Sequence, residues 1–253
     1  MSDLQIEDVG VVRVLTISGP GRANALRRGT IRELDAAIAA VEREVAAGES
    51  IAGVVITGEG GRFSAGADVS ELSGTIDDLD FDDDLEILTN RISCVAVPIV
   101  AAVEGACFGA AIDLAWSCDL VVVADSTRLG LPATRLGILY NPATLARLHA
   151  RLGGAIVRRL VVVGQEFDGA TIGAAGGAHV VDPGAALDTA TALVAGMAGV
   201  SAATGATKAV LNALDSGVFA GADWGATRHQ LLASAERSAA LRAGRDVLGK
   251  WPT

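Results

Sequence analysis

Three short apolar runs, "IAGVVIT", "PIVAAVE" and "DLVVVAD", start at residues 51, 98 and 119, and what separates them limits the folds open to this chain. Each has the length of a strand and is apolar almost throughout, so each reads as a buried strand. Before the first, Ile31, Leu34, Ile38, Val41 and Val45 follow the three-and-four spacing of an amphipathic helix, with Gly48 where a C-terminal cap belongs. Before the second, Leu85, Leu88, Ile92 and Val95 repeat that spacing. A further strand, "VVRVLTIS" (Val11 to Ser18), precedes the first helix and ends at "GPG". Strand and helix in alternation give an α/β class. After "YNP", helical stretches run from Leu145 to Leu152 and from Ile156 to Val163, and from about residue 184 the pattern is helical to the end. The expected organisation is an α/β core over residues 1–183 followed by a helical region over residues 184–253.

The loops after two of these strands carry the first chemical signal. "GEGGRFSAGAD" and "EGACFGAA" are rich in glycine and alanine, whose backbone N–H groups no bulky side chain screens. Two such N–H groups aimed at one oxygen stabilise the negative charge that develops there in a reaction. The second loop runs into "AIDLAWSC", a helix start in which one carboxylate, Asp113, sits among small and apolar residues. Burial would raise its proton affinity and suit it to acid/base work. The competing reading is an acid satisfied by backbone N–H groups near the helix start. A third signal is the run from Asp77 to Glu86, with seven acids in ten residues, read either as a solvated loop and helix start or as a lid beside a ligand site.

Composition excludes several alternatives. With 20 Lys and Arg against 30 Asp and Glu, the net charge of -10 disfavours a nucleic-acid surface. No apolar stretch reaches a membrane span and "MSDLQIEDVG" lacks the features of a signal peptide, so a cytoplasmic protein is expected. Cys94, Cys107 and Cys118 form no CxxC or His/Cys cluster, so they read as buried reduced thiols, with no metal site.

"RANAL", "RFSAGAD", "PIVAAVEGACFGAAIDLA", "CDLVVVAD" and "LGLPATRLGI" stand in the order and spacing of the crotonase (enoyl-CoA hydratase/isomerase) superfamily, which the chain resembles over roughly residues 10–180. "AGRDVLGKWP" is similar to that family's C-terminal helix and tail. The resemblance implies a spiral of strand-strand-helix turns, a helical C-terminal region that builds trimers or hexamers, and an acyl-CoA thioester substrate with no cofactor beyond its coenzyme A. By position, the N–H groups of Ala67 and Ala110 match the family's oxyanion hole, and Arg22, Ala23, Ala65 and Asp68 match its CoA-binding residues. Lys208 and Lys250 are further cations, read either as CoA-phosphate contacts or as solvated lysines.

Two departures matter more than the matches. Family hydratases use two glutamates to hold and activate one water. Asp113 stands at the first position and Ala133 at the second, and alanine cannot move a proton. Tyr140, in "LGILYNP", is similar to the pattern of the methylmalonyl-CoA decarboxylase branch, although Ala67 stands where that branch carries a histidine. The resemblance therefore implies a hydratase-like lyase with Asp113 and Tyr140 as catalytic groups. Decarboxylation of a malonyl-type CoA, or acyl-CoA binding without turnover, are the alternatives.

Overall fold

A computed structural model describes residues 3–199, 201–215, 217–219 and 224–248. Its core is a six-stranded sheet in the order β1-β2-β3-β4-β6-β9. The strands are β1 (Leu4–Val9), β2 (Val12–Ile17), β3 (Gly53–Gly58), β4 (Ile99–Val103), β6 (Leu120–Ala124) and β9 (His179–Val181). Only β1 runs antiparallel, as a hairpin with β2; the other pairings are parallel. A parallel pairing needs a crossover. Helices α1 (Arg28–Ala46) and α2 (Leu79–Cys94) supply the first two, and α3 (Ala110–Ser117) lies in the third.

The second sheet is small. Between the strands of the main sheet the chain adds β5 (Ala106–Phe108), β7 (Arg128–Gly130) and β8 (Phe167–Asp168), which pair in the order β5-β7-β8. Two successive turns, through β4 and β5 and through β6 and β7, thus add one strand to each sheet before a helix returns the chain. Among the remaining helices are α4 (Pro142–Leu152), α5 (Gly154–Val157), which continues as a π-helical turn over Arg158–Val162, and α6 (Gly169–Ala174). Then come α7 (Ala186–Ala195), α8 (Ser201–Asp215), α9 (Trp224–Leu232) and α10 (Ala235–Leu248).

Strands β3, β4 and β6 are buried on both faces, which is why they read as unbroken apolar runs. Ile31, Leu34, Ile38 and Val41 of α1 and Leu85, Leu88 and Ile92 of α2 fill the core on one side. On the other, Ala186, Ala190 and Val194 of α7 pack on Val55, Val100 and Val122. Gly48 has φ +91° and stands just beyond the α1 C-terminus, as its sequence position suggested.

Several expectations need correction. The acidic run is a helix start, as one reading had it, but mostly helix and not loop, because α2 extends back to Leu79; Asp80 and Asp83 are exposed there, and Asp82, Asp84 and Glu86 are half-buried. Cys94 is exposed, at the last residue of α2, whereas Cys107 and Cys118 are buried; all three are free. Lys208 is neither solvated nor placed to hold a phosphate. It is 6% exposed, and its Nζ donates to the Ile92 and Val97 carbonyls and lies 2.8 Å from Asp119 Oδ2. That carboxylate also accepts from the Ile99 N–H at 2.7 Å, so the pair ties α8 to the starts of β4 and β6. Lys250 and the end of "AGRDVLGKWP" lie outside the described residues. Among the described residues no helix is long and apolar enough to cross a membrane.

Candidate active site

Backbone pairing brings the two small-residue loops together. The Ser64 N–H donates to the Ala106 carbonyl at 3.0 Å and the Phe108 N–H donates to the Ser64 carbonyl at 3.1 Å, so the loop after β3 lies alongside β5. The Leu26 N–H donates to the Gly66 carbonyl at 2.7 Å and the Asp68 N–H donates to the Leu26 carbonyl at 2.8 Å, which pins the other side of that loop. Gly66 makes the approach possible. At φ +89° a Cβ there would lie 2.4 Å from the Phe108 carbonyl oxygen and 3.2 Å from Ala110 N. Gly66→Ala is therefore expected to lower unfolding free energy by at least about 2 kcal/mol in chemical denaturation and to separate the two loops.

Ala67 follows Gly66, and Ala110 is the first residue of α3. Neither N–H has an acceptor among the described residues. At Ala110 this follows from helix geometry, since the first N–H groups of a helix have no partner within it. Gly109 precedes it at φ +54°, a conformation that turns β5 sharply into α3.

One turn into α3 lies Asp113, 2% exposed. The Thr144 hydroxyl donates to its Oδ2 at 2.7 Å, and Arg147 Nη2 lies 3.6 Å from its Oδ1. The bland reading of this carboxylate, capped by nearby backbone, does not hold: its partners are side chains of α4. Thr144 and Arg147, three residues apart, are on one face of that helix, whose start Asn141 caps by accepting from the Ala143 N–H at 2.8 Å. Burial pushes the Asp113 carboxyl up to about 6 even though Arg147 and Thr144 pull it down; the charges of Asp82 and Glu86 push it further up. The native state therefore binds more protons than the unfolded chain between the ordinary carboxylate value and about 6. This group's contribution to stability declines as pH rises through that window.

Three buried polar atoms in this cluster lack a hydrogen-bond partner: Asp113 Oδ1, Arg147 Nε and the Tyr140 hydroxyl. Burial, with the charges of Asp113 and Asp82, holds the Tyr140 pKa well above its ordinary value, so the phenol keeps its proton and can donate it in a hydrogen bond. Ala133 is buried in the turn Ala133–Leu136, and no carboxylate reaches the cluster from there.

The "RANAL" loop forms a separate group. Ala23 and Asn24 both have positive φ, at +52° and +56°. Buried Asn24 holds that strain in place: its Oδ1 accepts from Gly19 N, and its Nδ2 donates to the Glu59 and Arg62 carbonyls at 2.9 and 2.8 Å. The Ala65 N–H donates to the Ala23 carbonyl at 3.0 Å, so these two expected CoA-binding positions are adjacent. Arg22 is half-exposed and already paired, with Nη2 3.0 Å from Asp3 Oδ2 and Nε 3.4 Å from Asp68 Oδ2. The Ser70 hydroxyl and N–H hold Asp68 below the usual carboxylate range. Arg27, not anticipated from the sequence, joins this group, with Nε 2.7 Å from Glu71 Oε1 and 3.8 Å from Asp68 Oδ2.

With two sheets wound turn by turn and the "SAGAD" and "GACFGAA" loops in contact, comparison with known proteins decides the family. The enoyl-CoA hydratase/isomerase family model matches residues 7–243. The chain belongs to the enoyl-CoA hydratase/isomerase family. It is 30% identical over 217 residues to the Mycobacterium bovis protein named "Probable enoyl-CoA hydratase echA8", covering 83% of this chain and 81% of that one. To the 2,3-dehydroadipyl-CoA hydratase of Escherichia coli it is 33% identical over 168 residues, covering 66% of this chain and 64% of that one. The fold matches the solved structure of an enoyl-CoA hydratase/carnithine racemase from Magnetospirillum magneticum with a TM-score of 0.87, at 23% identity, covering 97% of this chain and 93% of that one. The crotonase spiral expected from the sequence is thus the fold of this family member. Thr144 and Arg147 are the site residues the sequence did not reveal; the one available signal was the capped helix start "NPAT" that presents them.

Proposed function

We propose that this protein is a hydratase-type lyase acting on an acyl-CoA thioester. The observation that carries the reading is the pair of unpartnered N–H groups of Ala67 and Ala110, on adjoining loops, one helical turn before a buried carboxylate whose pKa is pushed up to about 6. In this reading the two N–H groups receive the thioester oxygen and stabilise the enolate form of the substrate. Asp113 gives a proton to Cα, or takes one from it, and a pKa of about 6 lets it do either near neutral pH. Thr144 holds its Oδ2, which leaves Oδ1 for the substrate. Tyr140 keeps its proton and acts as a hydrogen-bond donor beside Asp113. Ala23, Ala65, Arg22 and Asp68 hold the CoA moiety, with Arg22 exchanging part of its pairing to Asp3 and Asp68 for phosphate.

The test is turnover of a panel of 2-enoyl-CoA thioesters, followed by loss of the conjugated-thioester absorbance. Hydration supports the reading, and binding of the whole panel without turnover contradicts it in favour of a non-catalytic acyl-CoA binder. The unpartnered Tyr140 hydroxyl and the missing acid at Ala133 favour a second reading, decarboxylation of a malonyl-type CoA, in which Tyr140 orients the departing carboxylate. Carbon dioxide release from methylmalonyl-CoA without hydration of any enoyl-CoA would select it.

A further inference from the structure

We propose that Asp82, on α2, supplies the second proton-transfer carboxylate of this site in place of the acid missing at Ala133. The inference rests on the hydratase reading above and assigns the group that acts on the water.

The geometry comes from one face of α2. Asp82, Glu86 and Thr89 recur at four and three residues, so they line one side of the helix. Two contacts fix where that side points. Glu86 Oε2 accepts from Asn141 Nδ2 at 2.8 Å, and Thr89 Oγ1 accepts from Arg147 Nη2 at 3.5 Å. The same Nη2 lies 3.6 Å from Asp113 Oδ1. The row therefore faces the segment from Tyr140 to Arg147, and one turn before Glu86 it brings Asp82 towards Tyr140.

The other acids of the run are committed elsewhere or exposed. Asp78 accepts from the Ser73 and Gly74 N–H groups, Asp80 pairs with Arg28, Asp84 pairs with Arg32, and Asp77 and Asp83 are exposed. Asp82 is half-buried and has no hydrogen-bond or ion-pair partner among the described residues. Burial raises its pKa, and Asp83 on the same helix and Asp78 just before it add to the rise. Its charge acts on Asp113 of α3 and on Tyr140, and Arg147 lies further along the same face, beside Thr89. Two of those groups, Asp113 Oδ1 and the Tyr140 hydroxyl, are buried without partners, so this acidic face borders polar atoms whose hydrogen-bonding capacity is unused.

The step balances as follows. The water oxygen bonds to Cβ of the enoyl thioester while the C=C electrons move through Cα to the carbonyl oxygen, giving the enolate. The water proton passes to the Asp82 carboxylate. Protonated Asp113 then gives its proton to Cα, the enolate electrons return to form the C–H bond, and solvent carries the proton from Asp82 back to Asp113. One water is added, and the two carboxylates together hold one proton before and after the addition and two while the enolate is present.

Two assays on the full chain test this: hydration of a four-carbon 2-enoyl-CoA, and exchange of the α-protons of the saturated four-carbon acyl-CoA in D2O, read by proton NMR. Exchange needs the oxyanion hole and Asp113 but no chemistry at Cβ. Asp82→Asn is expected to lower hydration kcat by about 10²-fold or more while leaving exchange within a small factor of wild type. Asp82→Glu should restore part of the hydration, and Asp80→Asn, on the exposed side of α2, should retain both activities. If Asp82→Asn retains hydration, or loses hydration and exchange equally, the assignment is overturned and the enolate chemistry stands. A wild-type protein that exchanges but does not hydrate also overturns it. One that does neither removes the hydratase reading as well.

Discussion

Asp113→Asn is expected to lower kcat/KM for enoyl-CoA hydration by about 10²- to 10⁴-fold, the range for losing a positioned acid or base. Asparagine keeps the shape and can still accept from Thr144 but cannot carry the transferable proton. The pH profile separates this loss from a structural one. With Asp113 as the proton donor to Cα, wild-type kcat/KM falls as pH rises through about 6, because the ionised form has no proton to give. In Asp113→Asn that limb disappears. Stopped-flow hydration assays between pH 5 and 8 measure both effects.

The second large effect is expected at Ala110. As the first residue of α3, it occupies the helical position that best tolerates proline, where the lost N–H has no helical acceptor. Ala110→Pro therefore removes one candidate oxyanion donor while the helix keeps its hydrogen bonds. A loss in kcat of about 10²- to 10³-fold is expected, as for single oxyanion-hole donors elsewhere, with unchanged helical circular dichroism. Ala110→Gly keeps the N–H and should retain turnover. Equal activity of the proline and glycine variants would show that this N–H does not stabilise the reaction.

The sequence exposes the parts of this molecule whose physics is local. Strands β3, β4 and β6 are legible because they are buried on both faces, and α1 because its apolar stripe faces the core. The strands of the small sheet have two or three residues each and no periodicity to detect; pairings such as Phe108 with Gly130 hold them. β1 is missed for another reason: its exposed residues leave it little apolar pattern.

The site divides along the same line. Asp113 stands out in the sequence because a lone acid in "GAAIDLAW" conflicts with its surroundings. Its partners Thr144 and Arg147 come from 31 and 34 residues further on, and only the packing of α3 against α4 brings them to it. Lys208 shows the reverse error, a charge that reads as solvated and is buried on Asp119. The run from Asp77 to Glu86 looks uniform as a string, yet on and before α2 it divides into exposed acids, half-buried acids with partners such as Asp84 and Glu86, and half-buried Asp82 without one among the described residues.

The central claim is that Ala67 and Ala110 stabilise an enolate whose α-proton Asp113 handles. Proton NMR of a saturated acyl-CoA in D2O tests it most directly, because α-proton exchange reports the enolate whatever happens at Cβ. The wild-type protein should catalyse exchange, and Asp113→Asn and Ala110→Pro should abolish it with the fold intact. Exchange that persists undiminished in both variants would contradict the account.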